Sequence, residues 1–269
     1  MSLSPEKYLK RIGIGFMPDP TPESLARLQE AHLRTVPYEN CEIFFDGQTP
    51  SLEPEALYDK IVERGRGGYC FELNGAFAWL LSALGFRFTQ TFARWCFGEP
   101  DAIPPRRHRV LLVRFGSDTW IGDAGIGSPC PLTPLRLVPG IVQERNGLRF
   151  RIVEDPDHGF IVQKETPDGF LNFFSFWDVP HFTQDFLYVN RYCATMENSF
   201  FRKNLFVNLP APDGRRSLTS SADETTGRTD FLLQLERENG TVDKRRIPAD
   251  DKETLRIVLR EYFSIRLSL

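Results

Sequence analysis

The chain has 269 residues, of which 41% are hydrophobic, and carries a formal charge of −3. That is enough apolar material for one large domain or two to three small ones, so global disorder is excluded. With no dense Lys/Arg stripe, and no run near the ~18 apolar residues a membrane helix needs, neither nucleic acid nor a membrane is the expected partner.

In chain order, the first third reads as helical. Thr21-Pro22 supplies an N-cap with proline at the first helical position, followed by Leu25, Leu28 and Leu33 at helical spacing, and Val36-Pro37 closes the segment. A second helix is predicted from Pro54 through Leu57, Ile61 and Val62, ending at Gly65. A third runs from Cys70 to Leu84 with Gly85 as its stop, and it has so little polar surface that it must lie at the centre of the fold.

From Phe86 the pattern changes to short strands: R-F-T-Q-T-F-A-R-W, H-R-V-L-L-V-R-F and T-W-I-G-D, then Leu148–Glu154, Phe160–Lys164 and Phe170–Phe176, with a hairpin turn at Asp168-Gly169. Such a run predicts an antiparallel barrel or sandwich. The last third is mixed. A connecting helix is expected within Phe186–Asn198, N-capped by Asp185, and Pro210–Asp230 reads as a long exposed connection. Strands Phe231–Glu236 and Val242–Ile247 flank an Asn239-Gly240 turn. Asp250–Ile265 forms an amphipathic helix with Leu255, Val258, Leu259 and Tyr262 inward.

The five cysteines, Cys41, Cys70, Cys96, Cys130 and Cys193, are odd in number and contain no C-x-x-C pair. They point to free thiols in a reduced cytoplasmic protein rather than to a disulfide framework or a zinc site. The N-terminus has no apolar stretch of the signal-peptide kind.

Among them Cys70 stands out, because Gly65, Gly67 and Gly68 precede it and a helix follows. At a helix start, unpaired amides and the macrodipole favour a thiolate, although a buried inert cysteine fits the same position. A nucleophilic thiol needs a base. Of the four histidines, His32, His158 and His181 fall in a helix, a turn and a loop, where surface or capping roles suffice. His108 opens a strand, where it either faces a cleft or is simply solvated. Asp123 ends the next strand, so a short hairpin would bring it to His108 as the orienting carboxylate. Gly125, Gly127 and Ser128 follow it in a loop whose N–H groups suit an anion. P-loop, dinucleotide-binding and zincin motifs are absent.

Taken together, R-G-G-Y-C-F-E-L-N-G, the His108 strand, D-A-G-I-G, V-P-Y-E-N at Val36–Asn40, N-R-Y-C-A-T-M-E-N-S-F-F at Asn190–Phe201 and G-R-R-S-L at Gly214–Leu218 resemble the arylamine N-acetyltransferase family. The resemblance spans most of the chain. It implies an α+β fold of three parts: an N-terminal helical bundle (1–85), a central antiparallel β-barrel (86–185) and a C-terminal α/β lid (186–269) around a cysteine-protease-like core. It also implies a Cys70–His108–Asp123 triad and ping-pong transfer of an acetyl group from acetyl-CoA, or another acyl-CoA, to an arylamine or arylhydrazine. Both are small-molecule partners, and no cofactor or metal is permanently bound. Detoxification is the role implied.

The acceptor pocket would involve Tyr38, Trp95, Ile126 and Phe201, with Gly125, Gly127 and Ser128 on the coenzyme side. Tyr38 stands where the family often has Phe, Ile126 where it has an aromatic ring, and Trp95 where it has a small aliphatic residue. Ala194, Met196 and Glu197 replace Ser, His and Pro. These departures leave open an amide synthase fed by a carrier-protein thioester. A thioester hydrolase and a binding protein without catalysis complete the alternatives.

Overall fold

The computed structural model describes residues 3–99, 103–127, 129–222 and 229–267. Helices α1 (Pro5–Arg11), α2 (Pro22–Thr35), α3 (Cys41–Asp46), α4 (Pro54–Tyr58, continued by a π-helical turn Asp59–Glu63) and α5 (Cys70–Ala83) form the N-terminal part, with a two-residue strand β1 (Tyr38–Glu39) between α2 and α3. Thr21 caps α2 by accepting the Ser24 N–H at 3.2 Å, as the sequence predicts. Helix α5 is buried nearly all round. His32 holds no surface role: it is fully buried beside the Tyr8 hydroxyl (3.2 Å), and burial pushes its pKa down to about 3.

Strands β2 (Phe88–Trp95), β3 (His108–Phe115), β4 (Asp118–Gly122), β5 (Leu135–Arg136), β6 (Val142–Arg145), β7 (Leu148–Asp155), β8 (Gly159–Thr166) and β9 (Gly169–Phe176) form one antiparallel sheet in the order β5-β4-β3-β2-β9-β8-β7-β6. It curls into a nearly closed barrel. Its two edges meet through Gln143, whose side chain accepts the Arg136 N–H (2.9 Å) and donates to the Arg136 carbonyl (2.8 Å). The continuous apolar run of β3 follows from its position. Val110 and Leu112 face the barrel core, whereas Leu111 and Val113 pack into the core around α5.

The C-terminal part contains α6 (Thr183–Thr195), α7 (Phe200–Lys203), β10 (Phe206–Ala211), β11 (Gly214–Ala222), β12 (Thr229–Arg237), β13 (Val242–Ile247) and α8 (Lys252–Phe263). Its antiparallel sheet has the order β1-β10-β11-β12-β13, so a strand from the helical part pairs with β10. Leu255, Val258 and Leu259 of α8 pack on this sheet, with Tyr262 at the margin.

Two expectations fail here. Asp185 is not the N-cap of α6; it lies one turn in, and its carboxylate accepts the N–H of Phe182 at 2.7 Å. The polar stretch expected to be an exposed connection contains the end of β10 and all of β11, while residues 223–228 lie outside the described residues. Strand β11 escaped notice because its buried apolar anchor is Leu218; pairing with β10 and β12 holds the rest.

A buried ion-pair cluster joins the helical elements to the loop before α5. Glu39, fully buried, accepts from Arg66 Nη2 at 2.7 Å and Nε at 2.9 Å, and from the Cys41 N–H at 2.9 Å. Lys60 Nζ bonds Glu72 at 2.7 Å and Glu42 at 2.9 Å, and Glu72 accepts the Tyr69 N–H at 3.1 Å. Burial acts to raise the Glu39 carboxyl, but Lys60 and Arg66 outweigh it and hold the group below its usual range. Arg66→Ala leaves Glu39 without its partner in the interior. We expect a loss of about 3–5 kcal/mol in urea-unfolding free energy, against little change for Lys7→Ala, whose pairing with Glu63 is exposed.

Candidate active site

Cys70 is the first residue of α5, and the loop before it is shaped by close approach as much as by turning. Gly65 takes a left-handed φ of +67°. A Cβ on Gly67 would stand 1.9 Å from the Pro37 carbonyl oxygen, so only glycine lets this loop pass β1. Glu72, in the first turn of α5, caps the helix by taking the Tyr69 amide. The thiol is 3% exposed and donates to the Arg107 carbonyl at 3.6 Å.

His108 and Asp123 are brought together by the β3–β4 hairpin, whose register pairs Leu111 with Gly122 and leaves the two residues beyond the same end. His108 Nε2 lies 2.6 Å from Asp123 Oδ2. Both residues are nearly fully buried, and the imidazole is held edge-on by the rings of Trp95 (6.2 Å between centroids) and Phe174 (5.9 Å). With Nε2 on Asp123, Nδ1 is the ring nitrogen left for other work.

Three residues to which the sequence reading gave no role complete the arrangement. Asn74, one turn after Cys70, donates to Asp123 Oδ1 at 2.8 Å and accepts the Ala124 N–H at 2.9 Å. Gln29 of α2 accepts the Asp123 N–H at 2.9 Å. Asn40 of the V-P-Y-E-N motif donates to the carbonyls of Phe201 and Asn204, each at 2.8 Å, and accepts the Phe206 N–H at 2.8 Å. The i, i+4 spacing of Cys70 and Asn74 was the signal available for Asn74. Nothing local marks Gln29.

A cavity of about 370 Å³ opens over these groups. Its walls include all four predicted acceptor-side residues, Tyr38, Trp95, Ile126 and Phe201, together with Phe97, Phe173, Phe200 and Phe206. Trp95 serves the barrel core as well, since its ring packs 4.9 Å from that of Phe173. Glu99 and Arg107, paired with each other, are the charged lining residues besides the Cys–His centre.

The predicted anion loop fits less well. The Gly125 N–H is already given to Asp123 Oδ1 at 3.1 Å, and a Cβ there would strike Asn74 and Cys70 at 2.8 Å. Gly125 is therefore a packing glycine against the backbone of Cys70 and the Asn74 amide. Gly127 lines the cavity, and Ser128 lies outside the described residues.

The helix start is not the dominant influence on the thiol. Burial pushes the Cys70 thiol well above its usual range, Cys193 and Asp123 add to the rise, and the Phe71 amide opposes it. The helix start alone does not make a thiolate; a proton acceptor is required. A thiolate–imidazolium pair meets that need, because Asp123 stands ready to neutralise the ring.

The N-acetyltransferase family model matches residues 21–269. An arylamine N-acetyltransferase of Mycobacterium tuberculosis is 33% identical over 223 residues, covering 81% of this chain and 78% of that one. Its counterpart from Escherichia coli is 30% identical over 243 residues, covering 90% and 82%. The structure of Mycobacterium marinum arylamine N-acetyltransferase in complex with CoA superposes with a TM-score of 0.83 at 28% identity, over 97% of this chain and 93% of that chain.

The support of Asp123 by Asn74 has a measurable consequence. Asn74→Ala removes one donor from a buried carboxylate, so alkylation of Cys70 by iodoacetamide at neutral pH should slow about tenfold. The fold should survive, as judged by far-UV circular dichroism. Unchanged alkylation would mean that Asn74 has no hold on the histidine.

Proposed function

Because the chain belongs to the arylamine N-acetyltransferase family, we propose that it acetylates arylamines or arylhydrazines from acetyl-CoA by a ping-pong route through Cys70. The observation that carries this reading is the meeting of the Cys70 thiol with the hydrogen-bonded His108–Asp123 pair in one largely aromatic cavity.

In the first half-reaction His108 Nδ1 takes the Cys70 proton and the thiolate attacks the acetyl thioester carbonyl. The tetrahedral intermediate collapses with cleavage of the bond to the coenzyme sulfur, which leaves with the proton held on His108. The product is S-acetyl-Cys70 and free CoA. The Phe71 amide, which faces the sulfur, is a candidate donor to the oxyanion.

In the second half-reaction the arylamine nitrogen attacks the acetyl group and gives a proton to His108. Cys70 then leaves and is reprotonated. Asp123 remains a carboxylate throughout, stabilising the imidazolium of each step. Tyr38, Trp95, Ile126 and Phe201 form the acceptor wall, and the rings suit a flat aromatic amine. The relatives, arylamine N-acetyltransferases, favour this activity over a carrier-fed synthase or a hydrolase.

The same reading divides the enzyme at 1–85, 86–185 and 186–269. It places the protein in the cytoplasm, where its five free cysteines would stay reduced, and gives it a role in clearing foreign aromatic amines. Among the described residues no helix is long and apolar enough to cross a membrane.

Intact-protein mass spectrometry after brief exposure to acetyl-CoA, without acceptor, tests the route. Wild type should gain one acetyl group, lose it on addition of aniline, and show no gain as Cys70→Ala. Turnover surviving in a folded Cys70→Ala variant would refute the mechanism.

A further inference from the structure

Arg107 and Glu99 bring a charged pair into the largely aromatic catalytic cavity, and both come from the connection between β2 and β3. Arg107 immediately precedes His108. Its carbonyl oxygen lies 3.6 Å from the Cys70 sulfur, so its side chain leaves the backbone beside the reacting atom. Glu99 stands two residues beyond the cavity ring of Phe97, on a turn closed by its own N–H to the Cys96 carbonyl at 3.2 Å.

The Arg107 guanidinium donates to the Glu99 carboxylate, and the two side chains are 23% and 22% exposed. Among the described residues neither takes part in a second ion pair. Removing one member of so desolvated a pair strands the other against an aromatic wall. Exchanging Glu99 for another carboxylate strands nothing on the arginine. The pair is therefore a place where an incoming anion can replace a resident one, and an uncharged ring leaves it closed.

We propose that Arg107, with Glu99 as its exchangeable counter-ion, selects arylamine acceptors that carry a carboxylate on the ring. The proposal rests on the arylamine acetyltransfer reading above. Length decides between the two substrates. In an aminobenzoate a single ring separates the attacking nitrogen from the carboxylate, so a nitrogen at Cys70 keeps the charge inside the cavity. In acyl-CoA the pantetheine arm lies between thioester and phosphates, and carries them away from a side chain rooted beside the thiol. The planar fork of arginine meets a carboxylate with two parallel hydrogen bonds. The nearby rings of Trp95, Phe97 and Phe173 suit the flat body of such an acceptor.

The acceptor half-reaction tests this in isolation. Enzyme acetylated on Cys70 and freed of CoA is discharged at neutral pH by 4-aminobenzoate or by its uncharged methyl ester. The second-order rate constants are compared as a ratio, acid over ester. Relative to wild type, we expect the ratio to fall about tenfold or more in Arg107→Gln, where Glu99 is left to repel the acid. It should rise several-fold in Glu99→Gln, where the guanidinium is freed for the substrate. Arg107→Lys keeps the charge without the fork and should lie between wild type and Arg107→Gln.

The opposed signs separate recognition from a structural role, because a pair that only pinned the β2–β3 connection would act on acid and ester alike in both variants. An unchanged ratio, or a fall in both Arg107→Gln and Glu99→Gln, would overturn the proposal. So would a wild-type ratio in Arg107→Gln combined with slower acetylation of Cys70 by acetyl-CoA, which would assign the guanidinium to the donor. If wild-type Cys70 took no acetyl group from acetyl-CoA, the underlying reading would fall and the proposal with it; an acetylated wild type keeps the two questions separate.

Discussion

The site depends on a buried electrostatic clamp that lies outside the catalytic cavity. Arg66 on Glu39, and Lys60 on Glu72 and Glu42, fasten the glycine-rich loop between β1, α3 and the start of α5. Glu72 acts at both levels: one carboxylate oxygen takes Lys60, and the other takes the amide that begins the helix. The cluster has three acids and two cations, and burial pushes Glu72 up to about 7 against the pull of Lys60. Charges this deep contribute little net stability against an apolar replacement. What they supply is a single permitted position for the loop, and with it for Cys70.

That placement creates a problem which the barrel solves. A thiol at a helix start in water would lose its proton more easily, but here burial outweighs the amide dipoles. The hairpin of β3 and β4 answers with a histidine whose far nitrogen is already committed to a carboxylate. Asn74 and the Gly125 amide hold that carboxylate, while Gln29 holds its backbone. In the proposed mechanism the base is therefore ordered before any substrate arrives, and the ion pair need form only when the thiol is used. The same amide that the sequence suggested for an anion is spent on Asp123.

Much of this was legible from residue order, for reasons that differ between elements. Helix α2 carries an N-cap and a proline stop and α5 a glycine stop, signals that act within a few residues, and the barrel strands show apolar runs bounded by turns. His108 and Asp123 were readable because a hairpin converts a separation of 15 residues into contact. Partners across greater separations were not readable. Gln29 reaches Asp123 over 94 residues, and Asn40 reaches Phe206 over 166. Strand β11 was mistaken for a loop because sheet pairing overrides its polar composition, and Asp185 was misread because an acid three residues into a helix mimics a cap in sequence.

Asn40 shows why the three parts act as one site. Tyr38 lines the cavity, pairs with Asn208 of β10 and bridges to Gly68 of the nucleophile loop. Two residues later, Asn40 spends both functional ends of its amide on the backbone of Phe201, Asn204 and Phe206. Phe201 and Phe206 are cavity walls from the C-terminal part, and the Tyr38 ring meets that of Phe206 edge-on at 5.6 Å. A short stretch of the helical part thus sets both the nucleophile loop and the opposite wall. A shift of the C-terminal sheet would move those rings relative to Cys70, and small misplacements at a reacting centre are costly. The departures at Trp95 and Ile126 fall on the remaining wall, which the barrel side supplies. In the proposed reading, acceptor preference can therefore change there without disturbing the clamp that positions the thiol.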